Sequence, residues 1–203
     1  MPNFNKSIQE RVGYYEGEKE DRNLQCFKEQ FNNITMRGKG WYKQYLSQDQ
    51  MNQWKDTTYR KLDLKTNQEV VSNKYLSQLT DWYSPTLKCF FDYKTGFSYL
   101  KQHSLINYCE MTKMFNNLGH TSYFLWYEVE KRKLQWYVIN ACNLWDDINT
   151  DENWDYYWNT PTIDDGGWET NWMHITNNNA ISDGLMRLIE RHKTKFEDEF
   201  INI

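Results

Sequence analysis

Two long β-rich runs constrain the fold of this chain more than any other feature of its sequence. The first covers residues 120–130 and the second covers residues 134–142, with only Lys131-Arg132-Lys133 between them. Runs rich in β-branched and aromatic residues on either side of so short a connection are typical of an antiparallel hairpin. The pattern predicts a central hairpin at about 120–142 with a solvated basic tip.

Four stretches have apolar residues at steps of three and four, which places them on one face of a helix. They are residues 18–33, 75–83, 104–115 and 181–200. Ser104 is suited to cap the third helix, and Leu118-Gly119 is suited to end it. Ser47 and Gln50 form a capping-box pattern, which predicts a further short helix that carries Trp54.

Shorter runs with period-two alternation predict the remaining strands. Residues 58–64 and 69–72 flank a polar turn, and residues 87–93 alternate along another strand. A chain of 203 residues is short enough to fold around one core. We therefore predict a single α+β domain over residues 1–203, in which amphipathic helices, including a C-terminal one at about 181–200, pack on an antiparallel sheet.

The cysteines and the apolar runs indicate the compartment. Cys26, Cys89, Cys109 and Cys142 are widely spaced and lie among aromatic or aliphatic residues, which favours reduced, buried thiols and no structural metal site. No apolar run approaches the roughly 20 residues of a membrane-spanning helix, and the first residues do not follow the secretory-signal pattern. We expect a cytoplasmic protein in a reducing environment, without membrane contact, metal or cofactor.

Charge is distributed unevenly along the chain. Basic residues outnumber acidic ones over residues 1–133, but between Leu134 and Met186 there are nine acidic residues and no Lys or Arg. Within that stretch, residues 143–179 lack a sustained period, which predicts long connecting structure with one further strand at Trp172–Thr176. Loops of this length are usually functional.

The acidic segment 143–179 also contains Trp at many positions. Carboxylates steer a basic partner, while Trp provides the desolvated anchors that dominate interface energy. The leading hypothesis is a non-enzymatic acidic binding or inhibitor protein, of the phage counter-defence or immunity-protein type, that engages a basic protein such as a nucleic-acid-binding one. The expected contact residues are Asp146, Asp147, Asp151, Glu152, Trp154, Asp155, Trp158, Asp164, Asp165 and Trp168.

His120-Thr121-Ser122 and His174-Ile175-Thr176 repeat the pattern His-x-Ser/Thr, each at or near a predicted strand. The pattern resembles the signature of the two-histidine phosphoesterases. The resemblance implies that His120 and His174 act as general acid and base on a phosphodiester, and that Ser122 and Thr176 hold phosphate oxygens. A phosphodiesterase acting on a cyclic or linear nucleotide is therefore the alternative to the binding hypothesis.

Other interpretations of the same residues stay open. The acidic segment is equally compatible with a solvated loop whose Trp rings pack inward. A third interpretation is that the chain is a subunit of a larger assembly. Asp147, Asn149, Asp151, Asn153 and Asp155 alternate like calcium ligands, but position six is Glu152 where a tight calcium loop needs Gly. A basic-aromatic cluster over residues 37–43 makes direct nucleic-acid binding a lower-ranked possibility.

Overall fold

The computed structural model describes residues 22–63, 68–94, 99–150, 160–163, 168–174 and 187–201. The helices of the described chain are α1 (residues 22–30), α2 (Tyr42–Tyr45), α3 (Gln48–Asp56), α4 (Gln102–Met114), α5 (Ala141–Thr150), α6 (residues 187–192) and α7 (Phe196–Phe200). A 3-10 turn occupies Leu76–Gln78. Within these residues no helix is long and apolar enough to cross a bilayer.

The strands form two sheets. They are β1 (Thr58–Asp63), β2 (Gln68–Asn73), β3 (Trp82–Ser84), β4 (Cys89–Tyr93), β5 (Tyr99–Lys101), β6 (Thr121–Glu130), β7 (Lys133–Asn140), β8 (Thr160–Ile163), β9 (Trp168–His174) and β10 (Thr194–Lys195). The first sheet has the order β10-β7-β6-β4-β3, and the second has the order β2-β1-β9-β5 with β8 also paired to β9. Helices combined with these sheets confirm the predicted α+β class.

One strand pair of the first sheet is parallel. β4 and β6 run in the same direction, from the pair Cys89 and Thr121 to the pair Tyr93 and Leu125, whereas the other pairs of this sheet are antiparallel. Parallel neighbours need a crossover connection, usually a helix. Since α4 lies between β4 and β6 in the chain, it provides that crossover, and the sheet is mixed.

The central hairpin is confirmed. β6 and β7 pair from Tyr123 and Asn140 to Glu130 and Lys133. The tip is two residues long instead of three, because Lys133 already pairs with Glu130. Lys131 and Arg132 have φ values of 47° and 66°, the left-handed conformation that a two-residue type I′ turn requires.

The hairpin is buried on both faces. Successive side chains of a strand point to opposite faces, so Leu125 packs in the cluster that contains Phe27 of α1 and Phe196 of α7. Phe124 packs in a second cluster with residues of α4, α5 and α6, including Leu144. Helices therefore cover the first sheet from both sides, which explains why the hairpin is mostly apolar instead of alternating.

Most described Trp side chains are buried. Trp41, Trp54, Trp82, Trp126 and Trp136 are each at most 3% exposed. Trp145 is half-buried against the cluster that contains Phe124. In a chain poor in Val and Ile, the Trp rings of these segments fill the core.

One predicted helix is wrong, and the predicted C-terminal helix is confirmed but is interrupted by a short strand. Residues 75–83 form a 3-10 turn and then β3, because Trp82 and Tyr83 bury their rings on opposite faces of the sheet, which only a strand permits. Within the range 181–200, α6 ends at residue 192. The strand β10 (Thr194–Lys195) then pairs with β7, and α7 follows it. This pairing places Phe196 in the core with no exposed surface.

Other local predictions have mixed outcomes. The capping box is confirmed, because Ser47 Oγ accepts from the Gln50 N–H at 3.2 Å and Gln50 Oε1 accepts from the Ser47 N–H at 3.0 Å. The paired strands β1 and β2 are also confirmed. α4 begins at Gln102, so Ser104 lies inside the helix and is not its cap. The expected burial of the cysteines is confirmed for Cys89 and Cys109, but Cys142 is half-buried and Cys26 is exposed.

Candidate functional site

α5 lies at the start of the acidic segment, where connecting structure was expected. Asn140 caps the helix, because its Oδ1 accepts from the N–H groups of Cys142 and Asn143 at 3.0 and 3.1 Å. Leu144 and Ile148 are fully buried one turn apart. This cap and spacing are visible in the sequence and predict a helix, but the acidic, Asn-rich composition masked them.

Asp146 and Asp147 are the two predicted contact residues whose side chains the structure describes. Asp146 is exposed, whereas Asp147 is half-buried. Asp147 Oδ2 accepts from Arg191 Nη1 at 2.8 Å and lies 2.7 Å from His192 Nε2, which joins α5 to α6. The hydrogen bond with His192, followed by the Arg191 contacts, holds the pKa of Asp147 below its usual range despite its partial burial. Asp147 therefore has a charged partner within the chain.

Asp147→Asn is expected to lower the free energy of unfolding by about 1 kcal/mol at pH 7, because it removes a charge that two neighbours stabilise. A carboxyl whose pKa is lower in the folded state than in the unfolded state stabilises the protein fully when the pH is above the unfolded-state pKa of that carboxyl. For Asp, the unfolded-state pKa is about 4. That contribution is lost as the pH falls through the folded-state pKa. Urea unfolding at pH 7 and at successively lower pH would show the difference between the two proteins shrinking.

Asp56→Asn provides the control, since this exposed side chain at the end of α3 should change stability by less than about 0.5 kcal/mol. Equal stability of the Asp147→Asn variant and the wild type at pH 7, or a difference that does not vary with pH, would contradict a stabilising role for the contacts with α6.

The remaining predicted contact residues lie beyond the described side chains. Trp168 begins β9, where its backbone is opposite Asp63 of β1. The others, which lie outside the described residues, are Asp151, Glu152, Trp154, Asp155, Trp158, Asp164 and Asp165. Asp147 and Asn149, the first two positions of the calcium-like pattern, lie in α5 and therefore not in a ligand loop.

The histidines of the two His-x-Ser/Thr patterns lie at strands of different sheets. His120 is exposed just before β6 of the first sheet, where its N–H donates to Lys88 O at 2.8 Å. His174 ends β9 of the second sheet, opposite Tyr99. Thr176 lies outside the described residues.

Ser122 is in the core instead of a cleft. It has no exposed surface, its Oγ donates to Tyr108 O at 2.9 Å, and it lies 2.7 Å from Thr112 Oγ1 of α4. The hydroxyl is thus engaged between β6 and α4. The phosphodiesterase stays a hypothesis that these contacts do not favour.

A thiol pair lies beside α5. A hydrogen bond connects Cys109 of α4 with Cys142 of α5, and it lowers the pKa of the Cys142 thiol while it raises that of Cys109. Elsewhere, burial raises the pKa of the Cys89 thiol to about 12. The sequence offered no signal for the pairing, because 33 positions separate two cysteines that only the packing of α4 on α5 brings together.

Comparison of the chain with protein-family models, with curated proteins and with solved structures finds no match. Its function is therefore inferred from its own residues and their arrangement.

Proposed function

We propose that the protein is a non-enzymatic binding protein that engages a basic protein through its acidic, tryptophan-rich segment 143–179. The observation that carries this proposal is the stretch from Leu134 to Met186, with nine acidic residues and no Lys or Arg. A basic partner would relieve the repulsion among these carboxylates and be drawn to them at long range. Occupying the basic groove of a nucleic-acid-binding protein in this way would inhibit that protein.

The Trp residues of the segment supply a reason for tight binding. Trp154 and Trp158 lie between acidic positions, and Trp is among the residues that contribute most to interfaces when it is desolvated. The described core is already built from five Trp of other segments, as shown above. Trp154 and Trp158 are therefore proposed as interface anchors surrounded by carboxylates.

α5 supports the proposal because it packs the first residues of the segment against the core. Leu144 and Ile148 bury one side of the helix in the core, while Asp146 is exposed. A carboxylate on a packed helix loses less conformational entropy on binding than one on a free chain. Asp146 is therefore the described residue through which a partner contact is best tested.

The test replaces Asp146, Asp151 and Asp155 with Asn and leaves Asp147 intact, because Asp147 has a partner within the chain. The wild-type protein is used to capture basic proteins from a cell extract, and the captured protein is purified for calorimetry. The variant is expected to bind it at least about tenfold more weakly, since three carboxylates that face opposite charges are lost. The wild-type affinity should also fall with added salt.

A second variant, with Glu29→Gln, Asp49→Asn and Asp56→Asn, loses the same charge at exposed positions of α1 and α3. It should bind like the wild type. Unchanged binding by the first variant, or an equal loss in both, would overturn the proposal that segment 143–179 provides the binding surface.

A further inference from the structure

An open cleft of about 390 Å³ lies between α1 and the loop that leads into α2. Its wall and floor include the apolar side chains of Leu24, Met36 and Trp41. Small-ligand sites are concave and typically enclose about 300–1,000 Å³. The cleft is therefore large enough for a small ligand.

The charged residues that line the cleft are all basic: Lys28, Arg37, Lys39 and Lys43. The cleft therefore has a local excess of positive charge, whereas the chain as a whole has a formal charge of −4. Within the part of the chain that the structure describes, no carboxylate forms an ion pair with any of the four. Arg37 Nε donates to the neutral Tyr45 hydroxyl at 3.3 Å, which leaves its charge uncompensated.

The loop that carries Arg37 and Lys39 and leads to Lys43 of α2 is held in place by the core. Arg37 exchanges two backbone hydrogen bonds with Tyr83, at 2.8 and 2.9 Å. The buried indole of Trp41 donates to Thr80 O at 2.8 Å. Gly40 has a φ of 81°, which other residues rarely adopt, and it lets the chain turn between these two anchors. The backbone positions of the cations are thus set before any ligand arrives.

We propose that this cleft binds a small anion that carries two or more phosphate groups. Lys and Arg form charge-assisted hydrogen bonds with phosphate oxygens, and Arg binds them in a bidentate manner. Four cations that have no ion-pair partner among the described residues exceed what a single carboxylate would neutralise, whereas a diphosphate carries several negative charges. This site is independent of the proposed acidic surface, because the cleft and segment 143–179 share no residue.

The test titrates inorganic pyrophosphate into the full chain by calorimetry at about 0.15 M salt, where long-range repulsion from the acidic segment is largely screened. Saturable binding of one pyrophosphate per chain is expected. The variant Lys39→Glu/Lys43→Glu should weaken it by about tenfold or more, because two attractive charges become repulsive. Both side chains are exposed, so circular dichroism should show the wild-type fold.

The control Lys131→Glu/Lys133→Glu makes the same change in net charge at the exposed hairpin tip and should bind pyrophosphate like the wild type. Absence of pyrophosphate binding by the wild type would overturn the proposal, as would equal weakening in both variants. A single-stranded oligonucleotide is titrated in parallel. If it binds while pyrophosphate does not, the cleft is part of a nucleic-acid surface and the small-anion proposal is wrong.

Discussion

Trp136→Ala is expected to lower the free energy of unfolding by about 3–5 kcal/mol, the largest effect of any substitution considered for this protein. Trp136 lies on β7 with no exposed surface. Its ring meets Phe27 edge-on at 5.0 Å and Tyr127 at 5.3 Å, and its Nε1 donates to Gln30 Oε1 at 3.1 Å. The substitution would leave a cavity between the sheet and α1.

Equilibrium unfolding in guanidinium chloride measures this effect. Trp136→Phe, which keeps most of the ring, should lose less stability than Trp136→Ala. Tyr75→Ala removes an aromatic ring that is 62% exposed and should change stability by less than about 0.5 kcal/mol. A loss below about 1 kcal/mol for Trp136→Ala would show that α1 does not pack on β7 as described.

Glu110→Gln is expected to have the second-largest effect, a loss of about 2 kcal/mol. Lys74 has a side chain only 1% exposed, and its ammonium group forms an ion pair with Glu110 and lies 4.4 Å from the centroid of the Trp54 ring. Removing one partner of a buried pair leaves an uncompensated charge, which costs 3–5 kcal/mol when both partners are buried. The smaller value allows for solvent screening, because the Glu110 side chain is 46% exposed.

A double-mutant cycle by urea unfolding tests this interpretation. Lys74→Met removes the buried charge but keeps most of the apolar stem, so it should restore most of the stability that Glu110→Gln loses. If the losses of unfolding free energy caused by the two substitutions add up in the double variant, Glu110 does not compensate the charge of Lys74. Other contacts must then stabilise the buried ammonium group.

The elements predicted correctly are those whose signals are local. The β6–β7 hairpin follows from two apolar runs joined at Lys131-Arg132, and α3 follows from a cap and a return hydrogen bond within four residues, Ser47–Gln50. The wrong elements are those where distant contacts override the periodicity. Trp82 and Tyr83 fit a helical pattern, but burial on two faces of a sheet keeps them in a strand.

The candidate sites depend even more on contacts between residues that are distant in the sequence. The charge asymmetry of the acidic segment can be read from the sequence, but the pairing of Asp147 with Arg191 cannot, because α6 is brought to α5 only by the fold. Lys28 similarly lines the same cleft as Arg37 and Lys43 because α1 lies beside the loop that leads into α2. Motifs such as His120-Thr121-Ser122 suggest a chemistry, but they do not reveal that Ser122 is buried.

We propose segment 143–179 as the binding surface for a basic protein. Hydrogen exchange of the chain alone, and in complex with the basic protein that it captures, measures whether that segment is covered on binding. Slowed exchange on binding is expected to be concentrated in peptides from 143–179, including the part of α5 that lies within this segment. Unchanged exchange in those peptides, with slowed exchange only in another part of the chain, would contradict the proposal.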